Sequence, residues 1–326
     1  MPVFLSKIKN PDLDAVLNSA PLGDQKEFQE VVARFSQYDP QFLWLLSYSR
    51  EDIHKNRTYI EEAYKKFYKI LDKGFPKILV QKGNFVSRMW ELILCDIFSS
   101  LGELAPRGAQ GADFVLHTST GQSVQIEAVA PDESRYVNQR APRPDYSESN
   151  MAEFGGQIHD MERPIVLRTL QAFSDKKEGY LKDQPLIIAI NSSKSVGTIS
   201  DDTYILRRIL FGLGNWTMTQ GGEWSFEQLP FYNKPGEKPF LVSYFTRPEF
   251  SHISGVIYSS QQPLGFIPGG YSWHNSGITF VPNPIATNPV SIDFPFLKKI
   301  VCNKTIYQEI EPTKKFESII LPSPAP

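Results

Sequence analysis

The stretch NFVSRMWELILCDIFSSL, residues 84–101, constrains this chain more than any other. Its apolar side chains fall nearly all round a helix of 3.6 residues per turn, and such a helix must be covered on more than one side. The flanking sequence supplies the covers. From Pro11 to about Asp72, Phe28, Val31, Val32 and Phe35, then Tyr59, Tyr64, Phe67, Tyr68, Ile70 and Leu71, recur at helical intervals, which predicts a helical N-terminal layer punctuated by Gly74 and Pro76. Gly102 stands where a helix C-cap favours glycine. Beyond it, ADFVLHT (112–118) and QSVQIEAVAP (122–131) read as two strands joined by a tight turn at Ser119, Thr120 and Gly121. In the second strand Val124, Ile126, Ala128 and Ala130 share one face, while Gln125, Glu127 and Val129 share the other, so the acid points away from the apolar face.

Residues 132–162 are polar and irregular, with Arg135, Arg140 and Arg143 among them, and read either as a substrate-ordered flap or as a disordered insertion. A helix is expected from Pro164 to Leu181, a buried strand at PLIIAIN (185–191) and a helix from Tyr204 to Leu213. SHISGVIYSS (251–260) and SGITFVPNP (276–284) add two strands, and the tail PSPAP reads as extended. The expected organisation is a helical layer over 1–80, an α/β core over 81–200 and a C-terminal extension over 201–326 packed on the core.

Composition excludes several classes. With 41% hydrophobic and 21% charged residues, the chain belongs with folded globular proteins rather than disordered or collagenous ones. No apolar run approaches the roughly 18–20 residues that cross a bilayer, and MPVFLSKIKNPDLD lacks the apolar segment of a secretion signal, so no membrane partner and a cytoplasmic location are expected. Cys95 and Cys302 are too few for a disulfide framework, and Cys95 on an apolar helix reads as core. A net charge of −2 gives no whole-molecule field for nucleic acid, so such binding would rest on a local basic surface.

Familiar catalytic signatures fail in turn. FGLGNWT offers Gly212 and Gly214 without the third glycine of a dinucleotide loop, and no GxxxxGK[ST] phosphate loop occurs. GGYSWHNSG lacks a nucleophile elbow, which leaves Ser272 and His274 in a surface turn. The histidines at 54, 117, 159, 252 and 274 show no zinc-site spacing.

Three acids on ordered elements remain: Glu91 in the apolar helix, Asp113 at the start of one strand and Glu127 within the next. Antiparallel pairing across the short turn can bring Asp113 and Glu127 together on one sheet face, where two like charges need a cation or a proton. Glu91 can add a third oxygen if its helix packs on that sheet. Each has a plainer reading: a pair with Arg88, a turn cap after Gly111 and a solvated sheet face, respectively.

The order helix with Glu, strand with Asp, strand with Glu, then helix and buried strand resembles the PD-(D/E)xK restriction-endonuclease-like superfamily. RMWELIL, GADFVL and VQIEAVAP, followed by RPIVLRTLQAFSDKKEGYL and PLIIAIN, also resemble an uncharacterised bacterial family bearing this pattern. The resemblance spans roughly 83–191, with a weaker echo in HISGVIYSS and FVPNPIATNP, and implies an α/β (α+β) fold with a mixed central sheet flanked by helices, the N-terminal helical layer and a β-rich C-terminal extension. It implies Mg²⁺, or Mn²⁺, held by Asp113 and Glu127 with Glu91 beside them, for phosphodiester hydrolysis on nucleic acid, DNA rather than RNA. The departure is Val129, which occupies the place of the superfamily's lysine. Some members carry that charge on the next helix, where Arg168, Lys176 and Lys177 are available. Arg168, Ala172, Lys176 and Tyr180 form one helical stripe, which favours Lys176 over Lys177, although a double lysine commonly just faces solvent. Gln125, on the face of Glu127, is a candidate to orient a water or phosphate oxygen, and Arg207 with Arg208 to contact a phosphate backbone. The rival reading is a catalytically inactive nuclease-fold protein serving as a binding or regulatory module.

Overall fold

The computed structural model describes residues 25–47, 51–106, 111–131, 180–193, 202–218, 224–228, 231–232, 240–266, 277–302, 307–314, 318 and 320. The loop at 132–162, the segment with Arg168, Lys176 and Lys177, Ser272 and His274, and the tail all lie outside these residues.

The helical layer forms as its periodicity predicts: α1 (Gln25–Arg34), α2 (Pro40–Ser47), α3 (Glu51–Phe67) and the short α4 (Phe75–Leu79) precede α5 (Phe85–Ser99). Pro40 opens α2, where a missing N–H is harmless. Asp39 holds this entry together, accepting from the Gln41 amide at 2.9 Å and the Gly83 amide at 2.9 Å. Helix α5 is covered on both sides as its composition demands: Phe85, Met89, Trp90, Leu92, Ile93, Leu94, Cys95 and Phe98 are all at most 1% exposed.

The helix ends at Ser99 with Ser100 as its cap, not at Gly102. Gly102 instead opens strand β1 (Gly102–Pro106), opposite Thr118, and a Cβ there would overlap the carbonyl oxygen of His117. The glycine answers close strand approach rather than a helix stop. Strands β2 (Phe114–Thr118), β3 (Ser123–Val129) and β4 (Leu186–Asn191) follow. Helix α6 (Asp202–Phe211) ends at Gly212, whose φ of 66° is the left-handed cap that a dinucleotide reading of this glycine overlooks. Then come β5 (Leu213–Met218), β6 (Trp224–Gln228), β7 (Phe231–Tyr232), β8 (Phe240–Leu241), β9 (Gly255–Ser259), β10 (Thr279–Pro282), β11 (Lys298–Cys302) and β12 (Tyr307–Ile310).

Among the described residues, one eight-stranded mixed sheet dominates, in the order β1-β2-β3-β4-β9-β10-β11-β12, while β5-β6 and β7-β8 are separate small hairpins. The fold is therefore mixed α/β, with helices on a large mixed sheet. The 201–326 stretch supplies β9 to β12, half of that sheet, and so completes the core as well as extending it. Strands β3, β4 and β9 run parallel, and β2 runs antiparallel to β3. Alternation along the strands sends Phe114, Leu116, Val124, Ile126, Ile187 and Ala189 to the face that packs on α5. Leu186, Ile188, Ile190, Val256 and Tyr258 go to the opposite face, with Leu206, Ile209 and Leu210 of α6 and with Phe245. The described helices include none long and apolar enough to cross a membrane.

Candidate functional site

Because β3, β4 and β9 are parallel, their carboxyl ends at Val129, Asn191 and Ser259 lie along one edge of the sheet, and the start of antiparallel β2 joins them there. Ligands of such sheets bind outside the carboxyl ends of the strands. Trp90 fastens α5 to this part of the sheet, its indole Nε1 donating to the Ala189 carbonyl at 3.0 Å, and so sets Arg88 and Glu91 near the same edge. The neighbouring wall is tied by Asn191, whose Nδ2 donates to the Gln261 carbonyl at 2.9 Å while its Oδ1 accepts from the Ser193 amide at 3.1 Å. Gln262 Nε2 donates to the Ser193 carbonyl at 3.1 Å, closing that wall.

Asp113 sits one residue before β2. The last ladder pair is Phe114 with Ile126, so one further step sets Asp113 across from Glu127. Residues directly opposite in an antiparallel pair have Cβ atoms about 4.5–5.5 Å apart. The Asp113 carboxylate accepts from the Ala128 amide at 2.8 Å, taking the place of a ladder carbonyl where the chain bends into the strand. Glu127 alternates with Ile126 onto the face away from α5, as its pattern predicts. That face is not a solvated one: Glu127 is only 6% exposed.

Glu91 faces the edge from the helix side, 13% exposed, with its Oε2 accepting from Arg88 Nη1 at 2.7 Å. The i, i+3 pair with Arg88 thus exists, yet it does not neutralise the carboxyl. Burial drives the Glu91 pKa up to about 8, with Arg88 opposing and the negative charges of Asp113 and Asp72 adding to the rise. Cys95, one turn on, is raised for the same reasons: burial first, then Glu91, Asp96 and Asp113. Asp113 is therefore electrostatically joined to the helix acid as well as adjacent to Glu127 in register.

Fit to a hard divalent cation rests on the carboxylates that strand register and helix packing bring to this edge. Asp113 stands across the ladder from Glu127, its charge reaches the buried Glu91, and oxygen donors of this kind suit Mg²⁺ or Mn²⁺. Among the described residues no group of three His, Cys, Asp or Glu side chains is arranged to hold an ion, so the fit is to paired carboxylates rather than a closed cage.

Other sequence candidates are placed differently. Gln125 is 1% exposed and gives both ends of its amide to one backbone, accepting from the Leu181 N–H at 2.9 Å and donating to the Leu181 carbonyl at 2.8 Å. It fastens the chain entering β4 rather than orienting a water. Val129 packs on the apolar cluster of the second face, which explains why a methyl-bearing side chain suits the place of the motif lysine. Arg207 and Arg208 are buried at 6% and 7% exposure, and the Arg207 guanidinium lies 4.8 Å from the Phe226 ring centroid and 5.8 Å from that of Tyr307. Stacking of this kind makes Arg207 part of the packing rather than a surface for a phosphate backbone. Sequence reasoning also passed over Asp96, a lone acid on an apolar helix, whose Oδ2 accepts from Tyr59 Oη at 3.1 Å and Ser318 Oγ at 2.5 Å. An acid in so apolar a run was the available signal. Comparison with protein-family models, curated proteins and solved structures finds no match for this chain.

Proposed function

We propose that this protein hydrolyses phosphodiesters with a divalent cation, as a nuclease of the PD-(D/E)xK type acting on nucleic acid, with DNA the first substrate to test. The observation that carries this is that Asp113 stands across the ladder from Glu127 and close enough to Glu91 for its charge to add to the rise that burial gives that acid's pKa. Asp113 and Glu127 would hold the cation with Glu91 beside them. A divalent cation there supplies Lewis-acid polarisation of a phosphoryl oxygen and a more acidic bound water. The protein's own share is positional: the Ala128 amide fixes Asp113, the β2–β3 register fixes its distance from Glu127, and the Trp90 bond fixes the helix that brings Glu91. The acids also make the edge electronegative, which is unfavourable for a phosphate until a cation arrives.

Cleavage of single- and double-stranded DNA and of RNA with Mg²⁺ or Mn²⁺ tests the reading. Asp113→Ala and Glu127→Ala should each lower turnover by about 10²-fold or more, the scale of removing one transition-state stabiliser. Wild-type activity retained in both variants rejects the assignment. The second reading, an inactive nuclease-fold binding module, draws on Val129 in its apolar seat and on the lack of a three-acid group among the described residues. It predicts no cleavage by the wild type with either metal.

A further inference from the structure

Among the described residues, the hydrolase reading asks for a positive charge to face the phosphate where Val129 carries none. We propose that Arg88, from the helix preceding the two strands, is that charge, and that its guanidinium binds the scissile phosphodiester. The inference rests on the hydrolase reading and deepens it.

Four observations carry it. Arg88 lies one turn before Glu91 on α5, ahead of the Trp90 anchor that ties this helix to β4, and pairs with the acid that senses the charge of Asp113. Its position is fixed from two sides, by Glu91 at 2.7 Å and by Asp72 at 3.5 Å. Both ion pairs leave from Nη1, so among the described residues Nε–H and the Nη2 amino group make no hydrogen bond. A guanidinium presents its donors in a planar fork that matches two phosphate oxygens, and holding one corner of it pre-orients the rest. Finally, the side chain keeps 20% of its surface, enough for an oxyanion to reach it, whereas Arg207 and Arg208 are enclosed.

The two acids serve this arrangement. Asp72 and Glu91 hold the guanidinium against rotation, while the guanidinium offsets part of the negative charge that would otherwise repel a phosphodiester from Asp113. The guanidinium neutralises charge on the non-bridging oxygens as the oxygen of a water bonds to phosphorus, the bond to the leaving oxygen breaks, and the water's protons pass to solvent and to the leaving oxygen.

Full-length wild type, Arg88→Ala, Arg88→Gln and Arg88→Lys are compared for Mn²⁺-dependent cleavage of bis(p-nitrophenyl) phosphate, for Mn²⁺ binding by calorimetry, and for thermal midpoint. The expected result is a loss of about 10²-fold in turnover for the Ala and Gln variants, with recovery of about tenfold by Lys. Mn²⁺ affinity should be unchanged or higher in Ala and Gln, because a cation competing for Glu91 has gone. Tighter or equal metal binding with slower chemistry is a combination that a mere brace would not produce. Turnover within about threefold of wild type in Arg88→Gln, while Asp113→Ala is inactive, overturns the role of Arg88 and leaves the hydrolase reading intact. Mn²⁺ binding and midpoint falling together with turnover in all three variants overturns it too, in favour of a structural brace. A folded wild type that neither cleaves nor binds Mn²⁺ removes the hydrolase reading, and the assignment of Arg88 with it.

Discussion

Helix α5 carries two acids little more than a turn apart, and their surroundings differ. Asp96, 1% exposed, receives hydroxyl bonds from Tyr59 of α3 and from Ser318. Glu91 receives one arginine and confronts another carboxylate. The first is a joint between layers: hydroxyl donors are gathered around it, and Tyr59 in turn has its phenol pushed well above the ordinary value, by burial first and then by Asp96. The second is buried at a cost that its arginine only partly offsets, and the charge of Asp113 adds to that cost. A buried acid with dedicated donors stabilises a fold, whereas one whose burial outweighs the pull of its partner lies ready for a ligand of opposite sign.

The largest expected effect breaks the joint. Asp96→Ala strands the Tyr59 and Ser318 hydroxyls, and at roughly 1–3 kcal/mol for each unsatisfied donor the variant should lose about 4 kcal/mol of stability in urea denaturation. A loss below about 1 kcal/mol would mean that the hydroxyls find new partners and that Asp96 is no joint.

The next effect sharpens the other side. In the absence of metal, both states of Glu91 are protonated well below its ordinary 4.5, so folding is indifferent to pH there. Above 4.5 the unfolded chain releases its proton while the folded chain keeps it until about 8, so stability should fall across that window and then level off. Glu91→Gln removes this slope. Denaturation at pH 5 and pH 9 should show wild type losing on the order of 3–4 kcal/mol more than the variant, and equal losses would deny Glu91 its raised pKa. The smallest effect returns to the joint: Ser318→Ala should cost about 1 kcal/mol, without pH dependence in the same series. A cost equal to that of Asp96→Ala would make Ser318 the dominant donor.

What could be read in the chain beforehand follows this division. Periodicity located α5, β2, β3, β4, β9 and β10 because each buries one repeating set of side chains, and alternation put Glu127 on the face away from α5. Pattern alone could not reveal what lies far along the chain. Gln125 is bound by Leu181, 56 residues away, and a glutamine on a strand face looks the same whether it meets water or backbone. Gly102 satisfied two rules at once, and only the closeness of His117 decides between them. That β9 to β12 continue the same sheet was equally hidden, since strand order depends on pairing between distant segments. At the site, the three acids were legible as unusual residues on ordered elements. The confinement of Arg88 by Asp72 was not, because 16 residues and a change of helix separate them.

The bond between Ser318 and Asp96 spans 222 residues. During synthesis the central helix must therefore wait, with one of its acids short of one native donor, until the chain has emerged from the ribosome as far as Ser318. Products released short of that serine would carry the unsealed helix permanently, which makes late truncations natural clients for chaperones and proteases.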